Sequence, residues 1–178
     1  MRSTTLIFAV LCASTAHAQF ANRSFGGGVS FVKFIGGDVT SGVNLAGALT
    51  LEGSVYIDAG FELYAQVPLT IVDVASGADS PATHGRGQVF GTGAHLGARY
   101  LFLQESIRPY VGIELAGFVL ITVPDPKIFI GPGLSGGVQW FVADSISIGA
   151  NANFDVFFEL NKPVRPSFGG GLNFAAYF

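Results

Sequence analysis

The chain has 178 residues, of which 49% are hydrophobic, 13% aromatic and only 12% charged, with 25 glycines. Soluble domains carry roughly 25% charged residues, and disorder needs low hydrophobicity with high charge, so a disordered chain is excluded. A formal net charge of −3 speaks against nucleic-acid binding, which calls for a basic face.

Residues 1–18 read as an export signal. Arg2 supplies the positive start, Leu6 to Leu11 the apolar stretch, and Ala16-His17-Ala18 the small-residue cleavage site. The mature domain is then 19–178. Cys12, the single cysteine, falls inside the signal, so the mature chain holds no disulfide. A spanning helix needs about 20 mostly apolar residues. The best mature stretch, Val111 to Val123, is shorter and is interrupted by Glu114. Period-two alternation dominates instead, and a hydrophobic exported chain without a helix has one other spanning form, a closed barrel.

Eight strands are predicted. Ser24–Phe34 sets Phe25, Val29 and Phe31 on one face, and Gly42–Leu51 sets Leu45, Leu49 and Leu51 on one face. Val55–Ile71 is the cleanest alternation, with Val55, Ile57, Ala59, Phe61, Leu63, Ala65 and Val67 opposite Tyr56, Asp58, Gly60, Glu62, Tyr64 and Gln66. Gln88–Leu103 opposes Leu96, Ala98 and Tyr100 to His95, Gly97 and Arg99. Arg108–Thr122 opposes Val111, Ile113 and Leu115 to Tyr110, Gly112 and Glu114. Ile128–Phe141 carries Ile130, Leu134, Val138 and Trp140 on its apolar face. Ser145–Phe158 opposes Ile146, Ile148, Phe154 and Val156 to Ser147, Asn151, Asn153 and Asp155. Ser167–Phe178 presents Phe168, Leu172, Phe174, Ala176 and Phe178.

The connections alternate between longer ones (35–41, 72–87, 123–127, 159–166) and short ones, Glu52-Gly53-Ser54, 104–107 and 142–144. Spanning barrels have short turns at one side and longer loops at the other. Two aromatic girdles are predicted at the interfaces: Phe25, Phe102, Tyr110, Trp140 and Phe178 at the short-turn side, and Phe34, Phe90, Phe158 and Phe168 at the other. Proline is confined to strand edges, starts and bulges, so Pro132 predicts a bulge or break in the sixth strand. The glycine triplets 26–28 and 169–171 predict a blurred register in the first and last strands.

Gly97-Ala98-Arg99-Tyr100-Leu101-Phe102, followed by Pro109-Tyr110-Val111-Gly112 and Gly117, resembles the glycine/aromatic run of small outer-membrane barrels of the OmpA/OmpX-like class. The last strand, ending on Phe178 with Phe174 on the same face, is similar to the signal by which such barrels are recognised for assembly. The resemblance implies an all-β, eight-stranded antiparallel up-and-down transmembrane barrel in the bacterial outer membrane. It further implies a monomer whose partners are outer-membrane lipids, including lipopolysaccharide, and the barrel-assembly machinery.

An eight-stranded barrel is only wide enough for side chains to fill it. Glu62, Arg99 and Glu114 fall at similar heights on adjacent inward faces, so Arg99 is expected to bridge one or both carboxylates, with His95 beside them as a hydrogen-bonding group. These four residues form the candidate polar cluster of the lumen. The expected role is structural, with a plugged lumen and loops free for surface contacts. A small-solute or ion channel, a lipid-modifying enzyme and a soluble lipocalin-like binder stay open as alternatives. The His-x-Ser pair of outer-membrane deacylases is missing, because His95 is followed by Leu96-Gly97 and His84 by Gly85-Arg86. No catalytic residue, cofactor or metal site is therefore expected, since metal sites need three or four clustered ligands.

Overall fold

The computed structural model describes residues 22–35, 43–58, 60–74, 87–103, 105–121, 127–159 and 164–178. The predicted export signal, His84 and most residues of the longer connections lie outside these. Eight strands form: β1 (Arg23–Phe34), β2 (Val43–Asp58), β3 (Phe61–Val74), β4 (Gly87–Leu101), β5 (Ile107–Ile121), β6 (Lys127–Ala143), β7 (Ile146–Glu159) and β8 (Arg165–Tyr177). Each pairs antiparallel with its chain neighbour, and β1 pairs with β8, closing an up-and-down barrel with no free edge. The closure leaves no strand with an unpaired edge, which is what a sheet needs where water cannot satisfy its backbone groups.

Alternation sorts the side chains. Outward positions are apolar and exposed on every strand, among them Leu49, Leu63, Leu96, Ile113, Leu134, Ile148 and Leu172. Inward positions are polar or small, and the buried set includes Glu52, Glu62, Arg99, Glu114, Gln139 and Asp155. This is the reverse of a soluble barrel, which hides its apolar face.

Three expectations need correction, and that for Pro132 holds in one of its two forms. Glu52-Gly53-Ser54 is not a turn: all three residues lie within β2, paired to Gln66, Ala65 and Tyr64. The chain reverses at Gly60, which has φ 92°, a left-handed conformation that a Cβ makes costly. Pro132 brings the expected break, without a bulge. It pairs with Leu115 of β5, and the β6–β7 ladder stops at Ile130↔Phe158 and resumes at Gly133↔Asp155 in the same register. Proline has no N–H to give, and the interruption falls on that one side.

The glycine triplets leave the register intact, since β1 and β8 pair continuously from Ser24↔Tyr177 to Phe34↔Ser167. The girdles lose two members. Tyr110 points inward and is buried, and Phe34 packs on the interior cluster. Phe25, Phe102, Trp140 and Phe178 remain exposed toward the short-turn end, and Phe90, Phe158 and Phe168 toward the other.

Candidate functional site

The inward side chains form two layers. The end that carries Arg23, Phe178 and the short turns is polar; the Phe34 end is apolar. One row of cross-strand partners winds around the interior: Ser24, Ser54, Tyr64, Gly97, Glu114, Gly133, Asp155 and Ser167. Its glycines matter for space. Tyr64 lies across Gly97, where a Cβ would come within 2.5 Å of the ring, and its hydroxyl donates to Glu114 Oε2 at 2.5 Å. A narrow barrel accommodates large interior side chains by placing them opposite residues that have none.

Arg99 anchors the polar layer. Its Nε donates to Glu62 Oε2 at 2.7 Å, and its Nη2 lies 2.8 Å from Glu52 Oε1 as an ion pair. The guanidinium sits 5.1 Å from the Tyr64 ring centre and 5.0 Å from that of Tyr110, within the range of cation–π attraction. Arg99 is only 2% exposed; a charge that far from water persists only when paired. The carboxylates have further donors. Ser54 Oγ, itself 2.6 Å from Ser24 Oγ, donates to Glu62, and Gln66 Nε2 donates to Glu52 at 2.7 Å.

Glu114 stands in a second group. His95 Nδ1 lies 3.8 Å from its Oε1, and Asp155 approaches it over Gly133, where a Cβ would overlap Asp155 Oδ1 and press on Glu114 Cγ. Asn153 Nδ2 donates to Asp155 Oδ2 at 2.6 Å. Among the described residues, no group of three or more His, Cys, Asp or Glu side chains is placed to hold a metal ion.

The apolar layer is Ala46, Ala116, Phe118, Leu120, Phe129 and Phe157, with Val32 and Phe34 packed against it. Phe129 is its hub, with ring centres of Phe34, Phe118 and Phe157 at 6.1, 6.3 and 6.3 Å. Between the layers is a cavity of about 70 Å3.

No family model matches the chain, and no curated protein does. Solved structures do. Neisserial surface protein A superposes with a TM-score of 0.58 at 17% identity, over 88% of this chain and 97% of that one. OprG of Pseudomonas aeruginosa gives 0.64 at 11% identity, over 89% and 96%. The N-terminal barrel domain of OprF from the same organism gives 0.55 at 15%, over 90% and 100%. The chain has the fold of the small eight-stranded outer-membrane barrels.

Within that barrel, the four predicted cluster residues divide. Arg99 meets Glu62, while the second carboxylate on Arg99 is Glu52, not Glu114. Glu114 and His95 belong to the neighbouring group with Asp155. Glu52 was hidden from sequence reasoning by the misplaced turn. Asp155 was visible as an inward residue, but nothing in its local sequence tied it to Glu114, two strands away. Phe174 on the outward face of β8 and Phe178 just past its end lie exposed, and the backbone of Phe178 exchanges hydrogen bonds with Arg23, Phe178 N to Arg23 O at 2.9 Å and the reverse at 3.3 Å.

Proposed function

We propose that this chain is an integral outer-membrane barrel with a structural envelope role, its lumen blocked to solutes. The observation that carries the reading is the inverted sheet, with exposed apolar side chains outward on all eight strands and charged groups inward. An exposed apolar surface of that extent is unstable in water and suits lipid. The short-turn end then faces the periplasm, and the end that carries Phe34 faces outward. Outer-membrane lipids, including lipopolysaccharide, are the proposed partners of the belt, and Phe174 with Phe178 the proposed contact for barrel assembly. The role requires no catalysis and no second copy of the chain.

Fractionation of expressing cells tests the reading. Recovery in the outer-membrane pellet, with gel mobility that changes on boiling, is expected. A soluble periplasmic pool with the same mobility boiled or unboiled overturns it.

A further inference from the structure

Two buried carboxyls stand apart from Arg99 and its partners. Glu114 of β5 and Asp155 of β7 are 7% and 0% exposed, and they meet over Gly133 of β6, the strand between them. They are hydrogen-bonded to each other. Tyr64 donates to Glu114 Oε2 and Asn153 to Asp155 Oδ2, which leaves Glu114 Oε1 and Asp155 Oδ1 for that bond. An ionised carboxylate only accepts, and two that share a site do not both ionise readily. The bond therefore requires one proton between them.

Its place gives the bond a mechanical part. The β5–β6 ladder runs unbroken through Glu114↔Gly133 and Leu115↔Pro132. The β6–β7 ladder is open at Gly131 and Pro132, and Gly133↔Asp155 is the first pair past the opening. A bond from β5 to β7 thus crosses β6 beside the stretch where β7 has lost its backbone partners. We propose that the pair is a pH-sensitive clasp: one proton shared by Glu114 and Asp155 holds β7 to β5 across the open part of the β6–β7 seam, and its loss as pH rises loosens that seam. The clasp goes beyond the envelope role and is tested in detergent, apart from membrane location.

The groups facing the pair define the controls. From β3 come the Tyr64 hydroxyl, already donating to Glu114, and Glu62. From β4 come His95, with Nδ1 3.8 Å from Glu114 Oε1, and Arg99, which is taken up by Glu62 and by Glu52 of β2. Besides Gly133, β6 brings the Ser135 hydroxyl, 3.2 Å from that of Tyr64. Opposite Asp155, β8 brings Ser167, and Arg165 lies next along that strand pair, against Phe157. Histidine is the side chain that titrates near neutrality, so His95 is the neighbour to be separated from the pair.

The test is the urea unfolding equilibrium of the refolded full-length protein, measured in steps from about pH 5 to about pH 9. Carboxyls of an unfolded chain are ionised above about pH 5, so the folded chain holds one proton more. Linkage then lowers the folding constant about tenfold per pH unit, until the pair gives up its proton and the curve levels. Asp155→Asn and Glu114→Gln each set an amide N–H where the proton was, so both should fold and lack this slope. His95→Gln should keep it. Hydrogen exchange in Phe154–Phe158, corrected for its intrinsic pH dependence, should quicken past the levelling point in the wild type and not in Asp155→Asn, with Arg23–Phe34 of β1 unchanged. A wild type without the slope, a slope that survives in both amide variants, a slope lost in His95→Gln, or exchange that quickens equally in both segments overturns the proposal. If neither amide variant folds, His95→Gln decides: a retained slope supports the clasp and a lost one overturns it.

Discussion

Arg99 shows how much one residue can hold when it is buried among its partners. Its guanidinium is the cationic partner of both Glu52 and Glu62, and it sits between two aromatic rings. Removing one partner of a buried ion pair costs about 3–5 kcal/mol, because the remaining charge is left uncompensated, whereas removing the whole set is often neutral. Arg99→Ala strands Glu52 and Glu62 together, so it should lower the urea midpoint of the refolded barrel by a margin of that order. Combining Arg99→Met with Glu52→Gln and Glu62→Gln should recover most of the loss. If the triple variant is as unstable as Arg99→Ala, charge matching is not what Arg99 contributes.

At the scale of the element, the β2–β3 hairpin explains both what could be read in advance and what could not. From Leu45↔Asp73 to Tyr56↔Glu62 the cross-strand partners have even number sums, and the register shifts only at the ends of the hairpin. Opposed residues therefore share parity, and the alternation passes through the turn without a break. The stretch from Val55 to Ile71 is thus two strands folded on themselves, and period alone cannot show it. The readable sign was Gly60, where the left-handed conformation needs glycine. The inward and outward faces were legible throughout, because parity survives a misplaced turn. The ion-pair partner Glu52 was lost with the turn, because height along a strand depends on where the strand ends.

The same logic separates two glycines in thermal or urea unfolding. A Cβ at Gly60 would lie 2.7 Å from Leu101 O and force a left-handed residue, so Gly60→Ala should destabilise by about 1–2 kcal/mol. A Cβ at Gly47 meets nothing within 4 Å, so Gly47→Ala should stabilise by about 0.4–1 kcal/mol through the unfolded chain. Equal effects at the two sites would contradict the placement of the turn.

For the whole molecule, strand count, closure and facing follow from alternation, whereas the division of the lumen into a charged and an apolar layer follows from the winding of one strand row past another. Those layers stand in series along the same axis. A pore conducts only when every constriction along it is open, so each layer should suffice to block ions. Wild-type protein in planar bilayers is expected to be silent, and Arg99→Ala should stay silent behind Phe118, Phe129 and Phe157. Phe118→Ala with Phe129→Ala should also stay silent, held by Arg99 and its carboxylates. Only the combination of all three substitutions should give steps. With Arg99 gone, Glu52, Glu62, Glu114 and Asp155 would dominate the lumen, and rings of acidic side chains favour cations. The reversal potential across a potassium chloride gradient should therefore report cation selectivity. Steady steps from the wild type would show that the two layers do not block the lumen. Steps from either partial variant would show that one layer alone carries the block.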